Sequence, residues 1–313
     1  MKPVLLALSF LSPEHRAQVA RAFPALELVY QPDTAQWAEA IAAHGPQVQV
    51  VVTIGTLGLS AAQMQAMPGL KLVCTLGVGY ENVDIAHARA HGIQVANGAG
   101  TNDESVADHA MGLMLASLRG IVRLDRLTRE GVWRTALPLP PQLSHKRLGI
   151  VGMGTIGTRI AQRAQGFEME VGYHNRRQRS DMPHRYFGDV QALAAWCDVL
   201  LIAIPGGAET RHLVNAGVLE ALGPQGHLVN IARGSVVDTA ALADAIRAGR
   251  IAGAGLDVYE SEPLPPAELL DLDKVVLTPH VAGWSPEAVQ AAVDRFVANA
   301  RCYLEGRELV SPV

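Results

Sequence analysis

Short apolar runs, each followed by a stretch of helical spacing, recur along most of the chain and constrain its fold. Because the runs are continuously apolar rather than alternating, each is typical of a β-strand covered on both faces, as in a parallel sheet wrapped by helices. The first series is 4–8, 26–29, 48–52, 70–74 and 93–95, and the second is 148–151, 169–173, 199–204, 227–231, 251–256 and 275–277. The pattern predicts an α/β protein with two doubly wound parallel sheets, the second of six strands.

Length and charge narrow the class of protein. The chain has 313 residues, 49% of them hydrophobic, which fits two globular domains of about 150 residues each. Its formal net charge of −4 provides no general basic surface for nucleic acid, and no apolar run is long enough to span a membrane. Cys74, Cys197 and Cys302 show no metal-ligand spacing. We therefore expect a cytoplasmic protein with buried free thiols, no metal site and no nucleic-acid or membrane partner.

A glycine-rich turn joins the first strand of the second series to a helix. The strand 147–151 runs into the sequence GMGTIG at 152–157. Within a strand-helix-strand unit this pattern is typical of dinucleotide binding, because Gly152 permits a tight turn, Gly154 lets the backbone approach the pyrophosphate, and Gly157 allows close helix packing. The expected cofactor-binding residues of the turn are Gly152, Gly154, Thr155, Ile156 and Gly157.

The residues after the next strand predict which dinucleotide binds. About 20 residues past the glycines, an NAD-specific protein has Asp or Glu for the ribose hydroxyl. This chain instead has His174, Asn175, Arg176 and Arg177. A guanidinium offers a fixed fork of donors to phosphate, so we expect Asn175, Arg176 and Arg177 to bind NADP and to favour NADPH over NADH. A solvated arginine cluster is the alternative.

Motifs at further strand ends carry a family resemblance. They are IARG at 231–234, GLDVYESEP at 255–263 and LTPH at 277–280, together with LGVGYENVD at 76–84 and NDESVADH at 102–109. Together with the glycine turn, these motifs extend over nearly the whole chain and occur in the same order as in one known family. In these motifs the sequence resembles the D-isomer-specific 2-hydroxyacid dehydrogenases, and among them the NADPH-dependent glyoxylate/hydroxypyruvate reductases.

The chemistry of reducing a 2-keto acid can be assigned to three of these side chains. The reaction needs a hydride donor, a proton donor at the carbonyl oxygen and a cation for the carboxylate. His280 would donate the proton, Glu262 would raise the pKa of His280, and Arg233 would bind the carboxylate and polarise the keto oxygen. All three follow strands, and ligands of open α/β sheets bind beyond the carboxyl ends of strands. Taken alone, His280 could merely cap the sheet.

The resemblance implies further site residues. By it, the backbone N–H groups of Val78 and Gly79 form a second clamp for the substrate carboxylate, and Asp257 lies beside the nicotinamide and its ribose. Trp284 is expected to line the substrate pocket, with core packing as the alternative, and Trp133 is a weaker candidate for the same role. The remaining cofactor-binding residues are Pro205, Ala232 and Gly283.

The resemblance also implies how the chain is divided. Residues 1–98 and 284–313 would form a flavodoxin-like, substrate-binding (catalytic) domain. Residues 99–283 would form a Rossmann dinucleotide-binding domain inserted into it. We expect the two hinges to close a cleft over a small 2-keto or 2-hydroxy acid.

The segment 103–131 predicts one or two long helices and an oligomer. It has apolar residues at helical spacing and no proline. It also has more apolar positions than one face within a domain would use, including Met111, Met114 and Leu115. We therefore expect a homodimer formed through this segment, as in the family's dimers.

Other functions stay open on the sequence alone. The same fold serves NAD(P)-binding regulators of the corepressor type, although such a binder would not need His280 or Glu262. If the protein is an enzyme, 2-ketogluconate or phenylpyruvate is an alternative substrate. Oxidation of formate or phosphite is a weaker alternative for the reaction itself. The size of the substrate pocket depends on side chains around Leu57, Leu76, Tyr80 and Trp284. One methylene in an apolar pocket changes the discrimination between substrates by only about 1–3 kcal/mol.

Overall fold

The computed structural model describes residues 2–313, which divide into two compact units. Unit 1 comprises the residues up to Asn102 together with Trp284–Val313, and unit 2 comprises Asp103–Gly283. The sequence predicts the divisions at 98/99 and 283/284. Within residues 2–313, no helix is long and apolar enough to cross a membrane.

Unit 1 is built on a five-stranded parallel sheet. Its strands are β1 (Val4–Ala7), β2 (Glu27–Tyr30), β3 (Val48–Ile54), β4 (Leu72–Leu76) and β5 (Gln94–Ala96). Its helices are α1 (Pro13–Ala22), α2 (Trp37–His44), α3 (Ala61–Gln65), α4 (Ile85–Ala90) and, at the end of the chain, α11 (Pro286–Leu304). The strand order β2-β1-β3-β4-β5 is the flavodoxin-like order, which confirms the predicted fold class of this unit.

Unit 2 is built on a seven-stranded parallel sheet. Its strands are β6 (Arg147–Val151), β7 (Glu170–His174), β8 (Arg185–Tyr186), β9 (Val199–Ile202), β10 (His227–Asn230), β11 (Gly253–Leu256) and β12 (Val275–Leu277). Its helices are α5 (Asp103–Arg119), α6 (Ile121–Arg129), α7 (Thr155–Gln165), α8 (Val190–Trp196), α9 (Ala216–Leu222) and α10 (Thr239–Arg247). The order β12-β11-β10-β9-β6-β7-β8 contains the Rossmann arrangement. The prediction of six strands is wrong by one, because the two-residue edge strand β8 has no apolar run to mark it.

The continuous apolar runs are explained by burial on both faces of the sheet. In β9, Leu200 and Ile202 belong to one hydrophobic cluster, whereas Val199 and Leu201 belong to the cluster on the opposite face. All four are fully buried. The three cysteines are free and buried as expected, and burial raises the pKa of Cys197 to about 12.

The segment 103–131 forms two helices, and its apolar residues are used differently from the expectation. Gly120, with a φ of 62°, separates α5 from α6. Met111 and Met114 are buried in the core of unit 2, and Leu115 packs against that core, so these residues do not supply the surplus apolar surface that the sequence argument assigned to them. The large apolar side chains that this unit exposes nearby are Ile121, Val122, Trp133 and Leu139.

Candidate active site

The glycine turn after β6 has the shape that a dinucleotide pyrophosphate requires. Gly152 has a φ of 106°, and a Cβ there would lie 2.4 Å from the carbonyl oxygen of Ala203. A Cβ on Gly157 would lie 2.1 Å from the carbonyl oxygen of Gly152, whereas one on Gly154 would meet no atom within 4 Å. Close packing therefore requires glycine at 152 and at 157. Gly154 leaves open space at the start of α7, where the N–H groups of the helix attract anions. The residues fit the predicted cofactor.

The residues of the segment after β7 are not equivalent. Asn175 Oδ1 accepts a hydrogen bond from the Met153 N–H at 2.7 Å, so this side chain shapes the glycine turn. Arg176 and Arg177 are exposed. Arg176 has only a distant ion pair, with Nη1 3.8 Å from Glu209 Oε2, and its side chain is 94% exposed. The two guanidiniums are therefore accessible to a ligand phosphate.

The other predicted cofactor residues follow strands at the same edge of the sheet. Pro205 comes after β9, and its carbonyl accepts a hydrogen bond from Thr210 Oγ1 at 3.0 Å. Ala232 comes after β10 and is buried, and Gly283 comes after β12 and is half-buried. Because all these strands are parallel, their carboxyl ends meet at one edge of unit 2.

His280 and Glu262 are brought into direct contact at this edge. His280 Nδ1 lies 2.7 Å from Glu262 Oε2, and Glu262 Oε1 accepts a hydrogen bond from the Tyr259 N–H at 2.9 Å. With Nδ1–H donated to the carboxylate, the second proton of the imidazolium is carried by Nε2. His280 has a φ of 54°, in the left-handed region that a non-glycine residue enters only when its surroundings hold it there.

The surroundings of His280 favour its protonated form. The hydrogen bond that His280 donates to Glu262 raises the pKa of His280 above its ordinary value, burial opposes this effect, and the charge of Glu262 adds to it. The charge of Arg233 is near enough to lower the pKa, and that of Asp257 raises it. The net direction is upward, so the surroundings stabilise the imidazolium form of His280.

Asp257 holds the loop that carries His280. Its carboxylate, 1% exposed, accepts hydrogen bonds from Thr278 Oγ1 at 2.6 Å and from the N–H groups of Val281 and Ala282, both at 2.9 Å. The carbonyl oxygen of Asp257 accepts the His280 N–H at 2.8 Å. Burial would raise the pKa of Asp257, but hydrogen bonds from His109, Thr278 and the two amides lower it. These contacts fix the loop in its unusual backbone conformation.

Sequence reasoning missed two partners of Asp257. His109 ends the motif NDESVADH, and its Nε2 lies 2.9 Å from Thr278 Oγ1 and 3.4 Å from Asp257 Oδ1. Thr278 belongs to the motif LTPH. The available signal was that NDESVADH and LTPH both occur among the family motifs, which does not reveal that they touch.

Arg233 follows β10 beside two closely packed glycines. A Cβ on Gly206 would lie 2.9 Å from Arg233 Cγ, and a Cβ on Gly234 would lie 2.0 Å from the carbonyl carbon of Tyr259. Gly206 therefore leaves room for the stem of Arg233, and Gly234 lets the loop that carries Glu262 pack against the end of β10. Arg233 Nη1 donates to the Ala232 carbonyl at 2.6 Å.

Glu260, two residues before Glu262, has hydrogen-bond partners elsewhere in unit 2. Its side chain is 26% exposed, its Oε1 lies 2.8 Å from His212 Nε2, and its Oε2 accepts from the Thr239 N–H and hydroxyl at 3.2 and 2.9 Å. Burial alone would raise the pKa of Glu260, but these hydrogen bonds outweigh it, so the pKa is lower than its ordinary value. Glu260 thus fastens the loop before Glu262 to the N-terminus of α10.

The predicted residues of unit 1 lie in loops at its surface. Asn97 Nδ2 donates to the Val78 carbonyl at 2.8 Å, and a Cβ on Gly55 would lie 2.3 Å from the carbonyl carbon of Gly79. The role of Val78 and Gly79 in carboxylate binding stays a prediction. Trp284 is 69% exposed, which excludes the core-packing alternative, and Trp133 has the same exposure.

Comparison with known proteins identifies the family. The model described as "D-isomer specific 2-hydroxyacid dehydrogenase, NAD binding domain" matches residues 111–282, more than half of the chain. The chain belongs to this family. It is therefore an oxidoreductase with an NAD(P)-binding domain and the general activity of 2-hydroxyacid dehydrogenases, which disfavours the regulatory alternative.

Relatives of this dehydrogenase have several substrates in their names. Hydroxyphenylpyruvate reductase from Plectranthus scutellarioides is 38% identical over 274 residues, which cover 87% of this chain and 88% of the relative. 2-Ketogluconate reductase from Gluconobacter oxydans is 40% identical over 269 residues, covering 86% and 87%. The crystal structure of the NADPH-dependent glyoxylate/hydroxypyruvate reductase from Sinorhizobium meliloti, in complex with NADP and malonate, matches with a TM-score of 0.89 and 37% identity, covering 100% of this chain and 97% of that one.

Proposed function

We propose that this dehydrogenase reduces small 2-keto acids of the glyoxylate/hydroxypyruvate type to D-2-hydroxy acids with NADPH, and that His280 is the proton donor. The observation that carries the proposal is the 2.7 Å contact between His280 Nδ1 and Glu262 Oε2, close enough to Arg233 for its charge to affect His280. It combines a proton donor, a carboxylate that keeps it protonated and a cation for an anionic substrate.

Each residue has a distinct role in the proposed reaction. Bound NADPH would supply the hydride. Arg233 binds the substrate carboxylate and polarises the 2-keto oxygen through its fork of N–H donors, which stabilises the negative charge that develops there. His280 releases the proton on Nε2 to that oxygen. The negative charge of Glu262 stabilises the imidazolium before the proton leaves.

The preference for NADPH over NADH is supported by the exposed pair Arg176 and Arg177. The segment after β7 lacks the carboxylate that would bind a ribose hydroxyl, and neither guanidinium is enclosed by the protein. The Sinorhizobium meliloti reductase, similar over the whole chain, is described as NADPH-dependent and in complex with NADP. Asn175 contributes indirectly by holding the glycine turn.

We further propose that the enzyme is a cytoplasmic homodimer. Support for pairing comes from the exposed apolar residues Ile121 and Val122 of α6, which belong to the segment 103–131, and from Trp133 and Leu139 beyond it. Apolar side chains exposed in this way are typical of surfaces that another chain covers. Analytical sedimentation of the native protein and of the double variant Ile121→Glu/Val122→Glu tests this proposal. We expect the native protein to sediment as a dimer and the variant as a monomer. A native protein that sediments as a monomer would contradict the proposal.

A side-by-side measurement of rates tests the substrate assignment. Oxidation of NADPH is followed with glyoxylate, hydroxypyruvate, phenylpyruvate and 2-ketogluconate. We expect the highest kcat/KM with glyoxylate or hydroxypyruvate, and a D-configured product from hydroxypyruvate. A higher value with 2-ketogluconate or phenylpyruvate would replace the substrate class and leave the roles of His280 and Arg233 in place.

A further inference from the structure

A third arginine in the segment after β7 differs from Arg176 and Arg177 in its contacts. Arg179 is half-buried, and its guanidinium contacts both backbone and side-chain groups of unit 2. Its Nη1 donates to the Met153 carbonyl at 2.8 Å and lies 3.4 Å from Thr158 Oγ1. Arg179 therefore contacts both the glycine turn and the first turn of α7.

Asp181 orients the Arg179 side chain. Arg179 Nε donates to Asp181 Oδ1 at 3.0 Å, and Nη2 pairs with Asp181 Oδ2. A bidentate pair of this kind fixes the plane of the guanidinium. The remaining nitrogen, Nη1, is thereby directed to the Met153 carbonyl.

The backbone of the segment is fixed by two buried or half-buried tyrosines. Tyr173, fully buried, accepts the Arg179 N–H at 2.9 Å and donates its hydroxyl to the Arg179 carbonyl at 3.2 Å. The Tyr186 hydroxyl donates to the Asn175 carbonyl at 3.2 Å. The segment is thus tied down at Asn175 and at Arg179, with Arg176 and Arg177 exposed between these two points.

These contacts set the orientation of two peptide planes in the glycine turn. Asn175 accepts the Met153 N–H, and Arg179 binds the Met153 carbonyl. In a planar trans peptide the C=O and the following N–H point in opposite directions. When Arg179 holds the Met153 carbonyl on its side, the Gly154 N–H is turned to the other side.

We propose that Arg179 is a positioning residue for the dinucleotide, which acts through the Met153 peptide on the glycine turn and does not itself bind the 2′-phosphate. Because both NADH and NADPH carry the pyrophosphate that this turn accommodates, Arg179 supports the binding of both equally. Arg176 and Arg177 act on the 2′-phosphate alone. The inference rests on the family's dinucleotide binding and not on which 2-keto acid is reduced.

Equilibrium binding of the two cofactors separates these roles. NADPH and NADH are titrated, by their fluorescence, into the native protein and into Arg179→Met without substrate. We expect the dissociation constants of both cofactors to rise by the same factor, about tenfold, which is typical for one charge-assisted hydrogen bond. Asp181→Asn, which leaves the arginine in place but loosens it, is expected to raise both constants by a smaller common factor.

Control variants account for charge and for folding. Arg185→Met removes an equal charge from β8, where the guanidinium lies over Phe187, and is expected to leave both constants near the native values. The melting temperature of each cofactor-free variant shows whether it is folded, and Asp181→Asn provides the test if Arg179→Met is not. Weaker binding of NADPH alone would show that Arg179 binds the 2′-phosphate, and unchanged constants for both cofactors would show that the contact with Met153 has no effect on binding. Either result would overturn the proposal.

Discussion

Two regions at the carboxyl edge of the unit 2 sheet differ in how their charged side chains are held. After β11 and β12, Asp257, Glu262 and His280 are each held by several protein groups at 2.6 to 2.9 Å. After β7, Arg176 is exposed and lies 3.8 Å from its partner Glu209. Proton transfer requires fixed geometry, which enclosed hydrogen bonds supply. Recognition of a phosphate at the surface requires only accessible positive charge, and salt screens it.

The largest effect on kcat is expected when the proton donor is removed from the region after β11 and β12, which we call the fixed region. His280→Ala should lower kcat by about 10²–10⁴, the range for loss of a general acid, because water must then protonate the keto oxygen. The affinity for NADPH should stay near the native value, since His280 follows β12 and is not part of the glycine turn after β6. Steady-state rates and fluorescence titration measure the two quantities. A loss of less than about threefold in kcat would remove His280 from the mechanism.

Replacing Arg233 tests whether shape as well as charge matters in the fixed region. Arg233→Lys should lower kcat/KM by about 10²-fold, with raised KM and lowered kcat, because a point charge cannot contact carboxylate and keto oxygen together. Both parameters come from initial rates at varied 2-keto acid. Near-native kcat/KM would mean that Arg233 has only a packing role.

Mutations in the segment after β7, the exposed region, should change kcat/KM for one cofactor only. In the double variant Arg176→Ala/Arg177→Ala, kcat/KM for NADPH should fall by about 10- to 100-fold, because two charge-assisted contacts to phosphate are lost. The value for NADH should hardly change. The native preference should also shrink as salt rises, since the site is exposed. Equal kcat/KM for the two cofactors in the native protein would mean that these arginines form a solvated turn.

The smallest effect concerns the carboxylate near Arg176. Glu209→Gln should improve the affinity for NADPH about twofold and leave that for NADH unchanged, because Glu209 competes with a phosphate for the guanidinium. The difference should disappear at high salt. Glu220→Gln, at another exposed position of unit 2, is the control for net charge. An equal gain in both variants would indicate a general effect of charge.

The sequence predicted the regular part of the fold because strands buried on both faces leave continuous apolar runs. It could not reveal β8, whose two residues are Arg185 and Tyr186. Strand ends and motifs also singled out Arg233, Glu262 and His280, since chemistry gathers at one edge of a parallel sheet. The contact of His109 with Thr278 joins residues 169 positions apart, and no local pattern encodes such a contact. In the same way, Arg179 differs from Arg176 and Arg177 only through its three-dimensional partners.

The pH dependence of Glu262→Gln tests the central claim most directly. In the native enzyme Glu262 raises the pKa of His280, so the proton donor is present below that raised pKa and kcat for 2-keto acid reduction falls as the pH rises through it. Glutamine keeps the size and the acceptor for the Tyr259 N–H but removes the charge, while burial and Arg233 still lower the pKa of His280. The alkaline limb of the profile should therefore move to lower pH, whereas Glu268→Gln, at an exposed position, should leave it in place. An alkaline limb that is the same in Glu262→Gln as in the native enzyme would contradict the account.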